Sequence, residues 1–417
     1  MCRKWTIGGV VSKRFHEEVH CFQIHGVDMV GNARNGALIG LTPQGRKIVE
    51  RFMEEGVSEG EYEGDLAESL ARTLLNMGFC APAVRTLKSA YLHLTDRCNL
   101  ECVGCYSFVE DRNRRPDLTL QQILDTLDQL ASQGVEQLVL SGGEPMMRRD
   151  VETVVRRAKK HDMKVSLITN GTIAPKRFEP LLPYVDILNV SVDGYDKESR
   201  FIRDRGIMPR VLRFVEVMRD RTKVHLVFTL HHRNVPYMLD YVRLATDMGV
   251  SFNFSVFTTD PEDADARPFQ LQFEHLKAIS STVNEADNVF IEDPALASGS
   301  GVIGLRCSTG CGVGSSIVSV GADGTVYPCH MLHRDSLAMG NILEEPLGAI
   351  LERGSPIAVP LYEIEGCQDC DFRFLCGGGC RGRSFVYCGD AHRRDPFCPM
   401  TREYLSARTE VLKGMRS

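Results

Sequence analysis

Three cysteines at short, regular spacing are the clearest chemical feature of the sequence. Residues 97–107 read RCNLECVGCYS and place thiols at Cys98, Cys102 and Cys105. With 15 cysteines among 417 residues, this C-x3-C-x2-C spacing is expected by chance only about 0.02 times. A closed zinc site requires a fourth Cys or His, and a catalytic zinc favours mixed His and Glu ligands. Three thiolates without a fourth ligand instead suit a 4Fe-4S cluster whose last iron is open.

A second group of cysteines lies in the C-terminal segment, which is also rich in glycine. Its centre is the quartet CQDCDFRFLCGGGC over residues 367–380, for which the chance frequency is below about 0.001. The remaining cysteines of this segment are Cys307, Cys311, Cys329, Cys388 and Cys398. Thiolates at such spacing bind iron-sulfur clusters or zinc, and spacing alone does not distinguish the two metals.

The elements that position the first three thiols follow from hydrophobic periodicity. Between about residues 89 and 260, short apolar runs alternate with amphipathic helical patterns, which predicts βα units and a parallel sheet. The predicted strands are Tyr91–Thr95, Gln137–Ser141, Lys164–Thr169, Ile187–Val192, Val224–Leu230 and Ser251–Phe257. Six units form a partial (β/α)6 barrel of the TIM type, with its chemistry at the C-terminal ends of the strands. Thr119 and Gln122 form a capping box for the first barrel helix, and Asp150 is predicted to cap the next.

Glycine-rich and polar motifs follow the next three predicted strands. The second strand ends in SGGEP, where Gly142 and Gly143 permit a tight turn and Glu144 could receive a ligand ammonium. The third and fourth strands end in residues that can hydrogen-bond a ribose: Thr169, Asn170, Ser191 and Asp193. Alone, each motif is also an ordinary strand-ending turn. The arginines that follow either face solvent or meet a carboxylate, and they are Arg200, Arg203 and Arg205.

The N-terminal segment has its own pattern. GVDMVGNARNGALIGL predicts a hairpin with Asn35-Gly36 as its turn. A helix follows with Thr42 as its N-cap and Pro43 at its first position, and a second helical pattern ends at Gly78. This layout is typical of a small winged-helix-like module. The predicted domains are this module over 1–88, the partial barrel over 89–260, a polar bridge over 261–300 and the cysteine-rich domain over 301–417.

Composition narrows the class of protein. The net charge of −6 gives no general reason to bind nucleic acid. No apolar run approaches the ~20 residues that span a bilayer, and the N-terminus lacks a signal-peptide core. We therefore expect a cytoplasmic protein without a membrane partner. Since reducing compartments disfavour disulfides, metal ligation explains the cysteines better.

The spacing of Cys98, Cys102 and Cys105 after the first barrel strand resembles the signature of the radical S-adenosylmethionine (SAM) enzymes. The resemblance implies that SAM chelates the open iron and that an electron from the cluster cleaves it to a 5'-deoxyadenosyl radical. It further implies that Gly142, Gly143 and Glu144 bind the methionyl amino group. The resemblance also assigns Ser191 and Asp193 to the SAM ribose, with Thr169 and Asn170 nearby. The sequence departs from the family at Gly104, where an aromatic residue is common.

The C-terminal cysteines resemble the SPASM extension of peptide-modifying radical SAM enzymes, which binds two auxiliary 4Fe-4S clusters. The implied ligands of the nearer auxiliary cluster are Cys307, Cys311, Cys329 and Cys380. The implied ligands of the farther cluster are Cys367, Cys370, Cys376 and Cys398. Cys388 is left over and could replace Cys398. Two structural zinc sites remain the alternative. His330 and His333 flank Cys329 and are either satisfied histidines or a further ligand.

The N-terminal module resembles, in layout, the leader-peptide recognition element of peptide maturases, which adds an extended leader to a sheet edge. A dimerisation or packing module is the alternative. The combined resemblance implies a SAM-dependent maturase with three 4Fe-4S clusters, which abstracts hydrogen from a precursor peptide and forms a thioether, a carbon-carbon crosslink or a related oxidation. A flavodoxin or ferredoxin would supply electrons. Sequence assigns no catalytic acid, base or hydrogen donor.

Three other functions stay open at this point. A sulfatase-type maturase would oxidise a single Cys or Ser of a protein. A radical SAM enzyme of small molecules or tetrapyrroles can carry a similar cysteine-rich tail, but it would leave the N-terminal module without a leader. A non-catalytic zinc or iron-sulfur protein would need neither an open iron nor the Gly-Gly-Glu motif.

Overall fold

The computed structural model describes residues 5–7, 10–58, 62, 64–81, 87–195, 202–204, 206–285 and 305–415. Its N-terminal elements are β1 (Trp5–Ile7), β2 (Val10–Ser12), β3 (Val19–Ile24), β4 (Val27–Asn32), β5 (Ala37–Leu41), α1 (Pro43–Glu55) and α2 (Asp65–Asn76). Strands β3, β4 and β5 form an antiparallel meander with β4 in the centre. The meander and the two helices share a small core of their own.

The predicted N-terminal features are found at the expected residues. The hairpin β4–β5 has Asn32 opposite Ala37, so the Asn35-Gly36 pair lies in its turn. The Thr42 hydroxyl accepts a hydrogen bond from the Gly45 amide at 3.1 Å and caps α1. Strand β3, with the sequence VHCFQI, was not predicted.

The partial barrel follows and holds all six predicted strands. They are β6 (Ser89–Thr95), β7 (Gln137–Gly142), β8 (Lys164–Thr169), β9 (Ile187–Val192), β10 (Val224–Leu230) and β11 (Ser251–Val256). They pair in parallel and in sequential order from β6 to β11. The helices of this part are α3 (Leu120–Ser132), α4 (Val151–Lys160), α5 (Met208–Met218), α6 (Met238–Asp247) and α7 (Phe273–Glu285).

Helix caps in the barrel only partly follow the prediction. The capping box of Thr119 and Gln122 is present at the start of α3. Asp150 precedes α4, but its side chain does not cap the helix. The Asp150 carboxylate instead pairs with the Arg148 guanidinium at 2.8 and 2.7 Å, because a charged donor binds a carboxylate more strongly than an amide does.

The C-terminal segment extends the barrel sheet, which the sequence did not predict. Its elements are β12 (Ile317–Val320), β13 (Thr325–Tyr327), β14 (Gly340–Asn341), α8 (Leu347–Glu352), α9 (Arg373–Cys376), α10 (Arg381–Cys388) and α11 (Cys398–Arg408). Strand β12 pairs in parallel with β6, and β13 and β14 follow in antiparallel order. The result is one sheet of nine strands among the described residues.

The barrel strands bury one face and leave the other partly open. In β10, Val224, Leu226, Phe228 and Leu230 are buried, and the residues between them are only partly buried. The buried face packs under the helices in the main core. The opposite face lines the interior of the partial barrel. In the described part of the chain, no helix is long and apolar enough to cross a membrane.

The N-terminal module packs on the C-terminal segment through aromatic side chains. The His20 ring stacks on Phe374 at 4.5 Å between centroids, and Phe22 contacts the same ring at 4.9 Å. His25 Nε2 lies 2.9 Å from the Thr409 hydroxyl at the end of α11. The His20 and Phe22 rings of β3 therefore reach Phe374, which lies within the cysteine quartet over residues 367–380.

Candidate active site and iron-sulfur cluster sites

Three thiols meet in the loop that follows β6. Burial raises the pKa of the Cys98 and Cys102 thiols, and the neighbouring thiol of Cys105 raises both further. Such buried thiols stay protonated unless a positive centre compensates the charge, and an iron-sulfur cluster binds them as thiolates. The donor set of this loop therefore fits a 4Fe-4S cluster with three protein ligands.

Two polar side chains approach these sulfurs from the barrel. Asn170, which follows β8, points its amide nitrogen at Cys98 Sγ, 3.9 Å away, and donates to Asn99 Oδ1 at 2.9 Å. Arg203 Nη1 lies 3.7 Å from Cys102 Sγ. Hydrogen bonds to cluster sulfurs stabilise the reduced state and tune its potential. Arg200 and Arg205 lie outside the described residues.

Gly104 takes a conformation that explains the missing aromatic residue. Its φ is +62°, and a Cβ there would overlap the Phe257 ring. Phe257 follows β11 and is buried. An aromatic ring is therefore present at this point of the loop, but a distant part of the chain supplies it.

The Gly142-Gly143 turn lies against the loop that carries the three thiols. The Gly143 amide donates to Thr95 O at 2.8 Å, and the Glu144 amide donates to Arg97 O at 2.8 Å. A Cβ at either glycine would overlap the backbone of residues 95–97, and Gly142 has a φ of +125°. Only glycine allows the end of β7 to approach the cysteine loop this closely.

The Glu144 carboxylate is fully buried and joins the ends of β7 and β8. It accepts hydrogen bonds from the Met146 amide at 3.1 Å, the Asn170 amide at 2.8 Å and the Thr169 hydroxyl at 3.0 Å. Burial raises its pKa to about 7, although the three hydrogen bonds act in the opposite direction. Glu144 thus orders the turn beside the cluster loop, and its direct contact with a ligand ammonium stays a prediction.

The two residues predicted at the end of β9 differ in accessibility. Ser191 is half-buried on the interior face of β9. Asp193 is buried and accepts hydrogen bonds from the Ile202 amide at 2.6 Å and the Arg203 amide at 3.3 Å. His231 Nε2 lies 3.3 Å from its other oxygen. Asp193 therefore holds the segment that carries Arg203, and its ribose contact stays a prediction.

A layer of histidine and tyrosine rings, not predicted from the sequence, lies inside the barrel beside β6 and β12. His330 stacks on Tyr91 at 4.1 Å and meets the edge of Tyr106 at 5.3 Å. His333 stacks between His93 and Tyr327 at 4.1 and 4.3 Å. Residues alternate between the two faces along β6, so Tyr91 and His93 lie on the same face. This alternation is the one feature of the sequence that could have indicated the ring layer.

This ring layer connects the two groups of cysteines. Tyr106 directly follows Cys105, and its hydroxyl lies 2.8 Å from Ser141 Oγ. His330 directly follows Cys329, and its Nδ1 lies 3.6 Å from Cys329 Sγ. His93 is buried, and its Nε2 has no hydrogen-bond partner among the described residues. Burial lowers the pKa of His330 to about 4, so the imidazole is neutral near pH 7.

The four cysteines assigned to the farther auxiliary cluster are brought together. Burial raises the pKa of Cys376 to about 12, and the thiols of Cys367, Cys370 and Cys398 raise it further. Burial likewise raises the pKa of Cys398 to about 11, with Cys370 and Cys367 among its charged neighbours. Four neighbouring thiols, of which Cys367 is buried and the other three are partly buried, fit a fully ligated 4Fe-4S cluster. Cys388 is exposed.

Three of the four cysteines assigned to the nearer cluster also share one site. Burial raises the pKa of Cys329 to about 12, and the Cys311 thiol acts in the same direction. The Cys311 thiol accepts a hydrogen bond from the Arg381 amide, directly after Cys380. Cys307 is elsewhere: its Sγ packs on Gly31 of β4, where a Cβ would come within 2.5 Å. The structure does not bring Cys307 to the other three thiols.

One buried ion pair links the two auxiliary sites. The Arg383 guanidinium donates to both oxygens of Asp395, from Nε at 2.7 Å and from Nη2 at 2.6 Å. Asp395 also accepts the Cys380 amide at 2.7 Å and the Phe397 amide at 2.8 Å. Asp395 therefore holds Cys380 of the nearer predicted set directly. It holds Cys398 of the farther predicted set through Phe397, which precedes Cys398.

The spacing of these side chains bears on the zinc alternative. Within the described ranges, no three His, Cys, Asp or Glu side chains come close enough to hold one metal ion. A tetrahedral zinc site holds its sulfurs at about 2.3 Å from a single ion, whereas each thiolate of a 4Fe-4S cluster binds a different iron. The side chains alone therefore do not choose between the two metals.

Comparison with known proteins identifies two domains, one in the barrel and one in the cysteine-rich segment. Residues 92–245 match the model of the radical SAM superfamily, and residues 311–371 match SPASM, an iron-sulfur cluster-binding domain. The AdoMet-dependent heme synthase of Methanosarcina barkeri is 29% identical over 334 residues, which cover 73% of this chain and 94% of that protein. The mycofactocin maturase MftC of Mycolicibacterium smegmatis is 28% identical over 324 residues, which cover 73% and 81%.

Two solved structures share the fold at low sequence identity. Native anSMEcpe with bound AdoMet has a TM-score of 0.64 at 18% identity, covering 78% of this chain and 99% of that chain. Streptococcus suis SuiB bound to the precursor peptide SuiA has a TM-score of 0.59 at 15% identity, covering 93% and 99%. With a three-thiol loop at the end of β6 and gathered C-terminal cysteines, the chain is a radical SAM enzyme with a C-terminal SPASM iron-sulfur domain.

Proposed function

We propose that this enzyme is a maturase of a ribosomally made precursor peptide. The observation that carries the proposal is the N-terminal module, whose three-stranded meander packs on the cysteine-rich domain through Phe374. Neither binding SAM nor ligating iron needs this module. The likeness to SuiB extends over 93% of the chain, whereas the likeness to anSMEcpe extends over 78%. SuiB is bound to a precursor peptide in its solved structure, and the PqqA peptide cyclase of Granulibacter bethesdensis is among the relatives of this chain.

The meander offers two sheet edges to an added strand. In the described residues, β3 and β5 each pair only with β4, so the outer edge of each strand has no partner strand. An extended leader peptide binds such an edge through main-chain hydrogen bonds and side-chain pockets. Since β3 also contacts the cysteine-rich domain, a leader bound here would deliver the rest of the peptide towards the barrel.

The cofactors of the proposed maturase are SAM and three 4Fe-4S clusters. Cys98, Cys102 and Cys105 would hold the first cluster, and the SPASM cysteines would hold two auxiliary clusters. When bound, SAM and the reduced cluster supply the hydrogen-abstracting radical. The chain's own part is to hold the loop with Gly143 and Glu144, and to enclose the substrate in the barrel interior. A flavodoxin- or ferredoxin-type protein would deliver the electrons.

The proposed reaction starts with hydrogen abstraction from a side chain or backbone carbon of the peptide. It ends in a thioether or carbon-carbon crosslink, in which two hydrogen atoms leave the peptide for each bond formed. One hydrogen atom would go to the radical that SAM supplies. An auxiliary cluster held by the SPASM cysteines would accept the remaining electron, and the proton would go to solvent or a nearby base.

A tetrapyrrole substrate is the second candidate, and one structural feature favours it. His330 and His333 line the barrel interior, and neutral imidazole is the common axial ligand of haem iron. The names of two relatives, a heme synthase and an Fe-coproporphyrin III synthase, belong to this class. This function would leave the N-terminal module without a ligand.

The decisive experiment measures which substrate class stimulates SAM cleavage. The reconstituted full-length enzyme receives SAM and dithionite under anaerobic conditions, with either iron-coproporphyrin III or short peptides encoded beside its gene. We expect 5'-deoxyadenosine formation to rise with one peptide, whose mass falls by two hydrogen atoms per bond. Stimulation by the porphyrin alone would refute the peptide assignment.

A photo-crosslinking variant tests the role of the meander. A benzoylphenylalanine at Gln23 on β3 or at Gly40 on β5 should capture the stimulating peptide, because both positions are exposed. The same group at the exposed Gln121 on α3 is the matched control and should capture none. Equal capture at all three positions would contradict binding at the sheet edge.

A further inference from the structure

Buried arginines in the described part of the chain fall into two kinds. The buried arginines are Arg112, Arg148, Arg381 and Arg383. A guanidinium keeps its positive charge in proteins, and an uncompensated charge inside a protein is costly. Arg148 pairs with Asp150 at 2.7 Å, and Arg383 pairs with Asp395 at 2.6 Å. The other two form no ion pair with any carboxylate of the described residues.

Arg112 lies against the loop of the first three cysteines. Its side chain donates from Nε to Asp96 O at 3.1 Å, and its buried Nη2 has no hydrogen-bond partner among the residues described. The next side chain, Asn113, accepts the Cys98 amide at 3.1 Å, so this segment folds back on the loop. Burial raises the pKa of the Cys98 thiol, whereas the Leu100 amide and the Arg112 charge lower it. Arg112 is therefore a buried cation beside the first cluster site.

The Arg381 guanidinium is held by main-chain carbonyls. Its Nη1 donates to Ala391 O at 2.5 Å and to Arg393 O at 3.0 Å, and its Nη2 donates to Gly378 O. Its buried Nε has no hydrogen-bond partner within the described ranges. Carbonyl oxygens satisfy the donors and fix the orientation of the group, but they are neutral acceptors. The positive charge of Arg381 is therefore fixed in place without a counter-ion of the chain.

The charge of Arg381 acts on both groups of auxiliary cysteines. Burial raises the pKa of Cys367, a thiol of the farther group, and Arg381 lowers it. Burial also raises the pKa of Cys311 in the nearer group, and Arg381 is again among the causes that lower it. Arg383 lies two residues further on, but Asp395 compensates its charge. Arg381 is thus a buried cation shared by the two auxiliary sites.

Iron-sulfur clusters would supply the negative charge that these two arginines lack. A cluster with its thiolate ligands is an anion, and its reduction potential depends on the net charge of the site and on the surrounding hydrogen bonds. Reduction adds one negative charge, so a fixed cation nearby stabilises the reduced state more than the oxidised state. The low dielectric constant of a buried site strengthens this interaction.

We propose that Arg112 and Arg381 are the counter-ions of the clusters, Arg112 for the first cluster and Arg381 for both auxiliary clusters, and that they raise the reduction potentials. Arg112 thereby eases electron delivery to the first cluster. Arg381 sets how readily the auxiliary clusters accept an electron. The inference rests on the clusters of the proposed function and not on its peptide substrate. Both arginines act through their charge on the clusters.

The test compares neutral variants with variants that keep the charge. Arg112→Gln and Arg381→Gln remove the charge but keep a side-chain N–H donor, whereas Arg112→Lys and Arg381→Lys keep the charge. The reconstituted full-length enzyme is titrated with reductant under anaerobic conditions, and each cluster is followed by electron paramagnetic resonance. Signals that are missing from Cys98→Ala/Cys102→Ala/Cys105→Ala belong to the first cluster, and the remaining signals belong to the auxiliary clusters.

We expect a separate shift from each neutral variant. Arg112→Gln should lower the equilibrium constant for reduction of the first cluster by at least about tenfold, which is about 59 mV for a one-electron couple, and leave the auxiliary potentials unchanged. Arg381→Gln should lower both auxiliary potentials and leave the first unchanged. Each Lys variant should restore most of the lost potential. Arg114→Gln is the matched control, because Arg114 lies in the same segment as Arg112 and its side chain is 85% exposed.

The outcomes separate this inference from the proposed function. If the triple alanine variant loses no signal, or if the wild type binds no iron, the clusters themselves are refuted. Normal clusters with unchanged potentials in both Gln variants would overturn the counter-ion role alone. Equal shifts in the Gln and Lys variants, or a similar shift in Arg114→Gln, would also overturn it, and a shift at only one arginine would remove the role of the other.

Reduced assembly of a Gln variant is also informative. If Arg112→Gln or Arg381→Gln binds less iron than the wild type, the Lys variant at the same position decides the matter. Recovery of the iron content with Lys would support a requirement for the charge. An equal loss of iron with Lys would assign the arginine to its hydrogen bonds with main-chain carbonyls and would contradict the counter-ion role.

Discussion

Replacing Asp395 by Asn is expected to dismantle both auxiliary cluster sites at once. The two side chains of the Arg383–Asp395 pair are only 3% and 1% exposed, and the pair is bidentate. In Asp395→Asn, an NH2 group replaces one carboxylate oxygen and faces the donors of Arg383 or Cys380. The guanidinium then lacks its counter-ion in a site that water does not reach.

The magnitude follows from the burial of the pair. Breaking a buried ion pair by removing one partner costs about 3–5 kcal/mol, because a charge is left without compensation. A backbone amide that loses its acceptor adds about 1–3 kcal/mol. We therefore expect Asp395→Asn to lower the free energy of unfolding by at least about 4 kcal/mol. Because Cys380 and Cys398 lie beside this carboxylate, iron should fall from about twelve to about four per chain.

The pH dependence has a defined sign. Burial alone would raise the pKa of Asp395, but Arg383 and the amides of Cys380 and Phe397 outweigh burial and lower it. A lowered carboxyl pKa contributes stability above the unfolded value of about 3.9, and that contribution is lost as the pH falls further. The wild type should therefore lose this stability below about pH 4, and Asp395→Asn should lack it at neutral pH.

The assay is iron and sulfide content after anaerobic reconstitution, together with chemical unfolding. Asp390→Asn is the matched control, because Asp390 lies in the same segment and is exposed. It should retain wild-type iron and stability. Wild-type iron content and stability in Asp395→Asn would refute the role given to the buried pair.

Three further changes test the SAM side of the molecule. Glu144→Gln should remove a pH dependence of stability. Since burial raises the pKa of Glu144 to about 7, the free energy of unfolding of the wild type should fall as the pH rises from about 4.5 to 7. Chemical unfolding of the variant over the same pH range should show no such fall. Gly143→Ala should lose the first cluster, because the added Cβ overlaps Arg97 O, and the iron content should fall by about four per chain. Gly414→Ala is the control, because Gly414 has open space around it. Gly104→Ala should weaken SAM-induced spectral change, and Gly104→Ala/Phe257→Ala should restore part of it; equal loss in both would count against the ring contact.

The sequence predicts the barrel well because its signals are local. Each of the six strands is an apolar run between polar turns, and the capping box at Thr119 needs only residues three apart. Asp150 was predicted wrongly because a cap and an ion pair use the same carboxylate, and only the structure shows that Arg148 takes it. Strand β12 was missed because its pairing with β6 joins residues more than 200 positions apart. Strands β13 and β14 were missed because runs of three and two residues are too short to show a periodic pattern.

The cysteine sites show the same limit. The spacing within residues 98–105 and 367–380 is a local signal, and the thiols of each group lie close together. The ligand set of the nearer auxiliary cluster depends on distant segments, and the structure places Cys307 with Gly31 instead. The ring layer could not be predicted either, because the stack of His93, His333 and Tyr327 combines three separate segments.

The parallel pairing of β12 with β6 has a consequence for electron transfer. Tyr91 lies opposite Ser319, which in turn lies opposite Tyr327, two residues before Cys329. The cysteine loop after β6 and the auxiliary cysteine after β13 are thus joined by backbone hydrogen bonds within one sheet. A hinge cannot move the end of β6 away from the end of β13 without breaking that sheet. The tunnelling distance between clusters bound in the loops after these two strands would therefore be set when the chain folds.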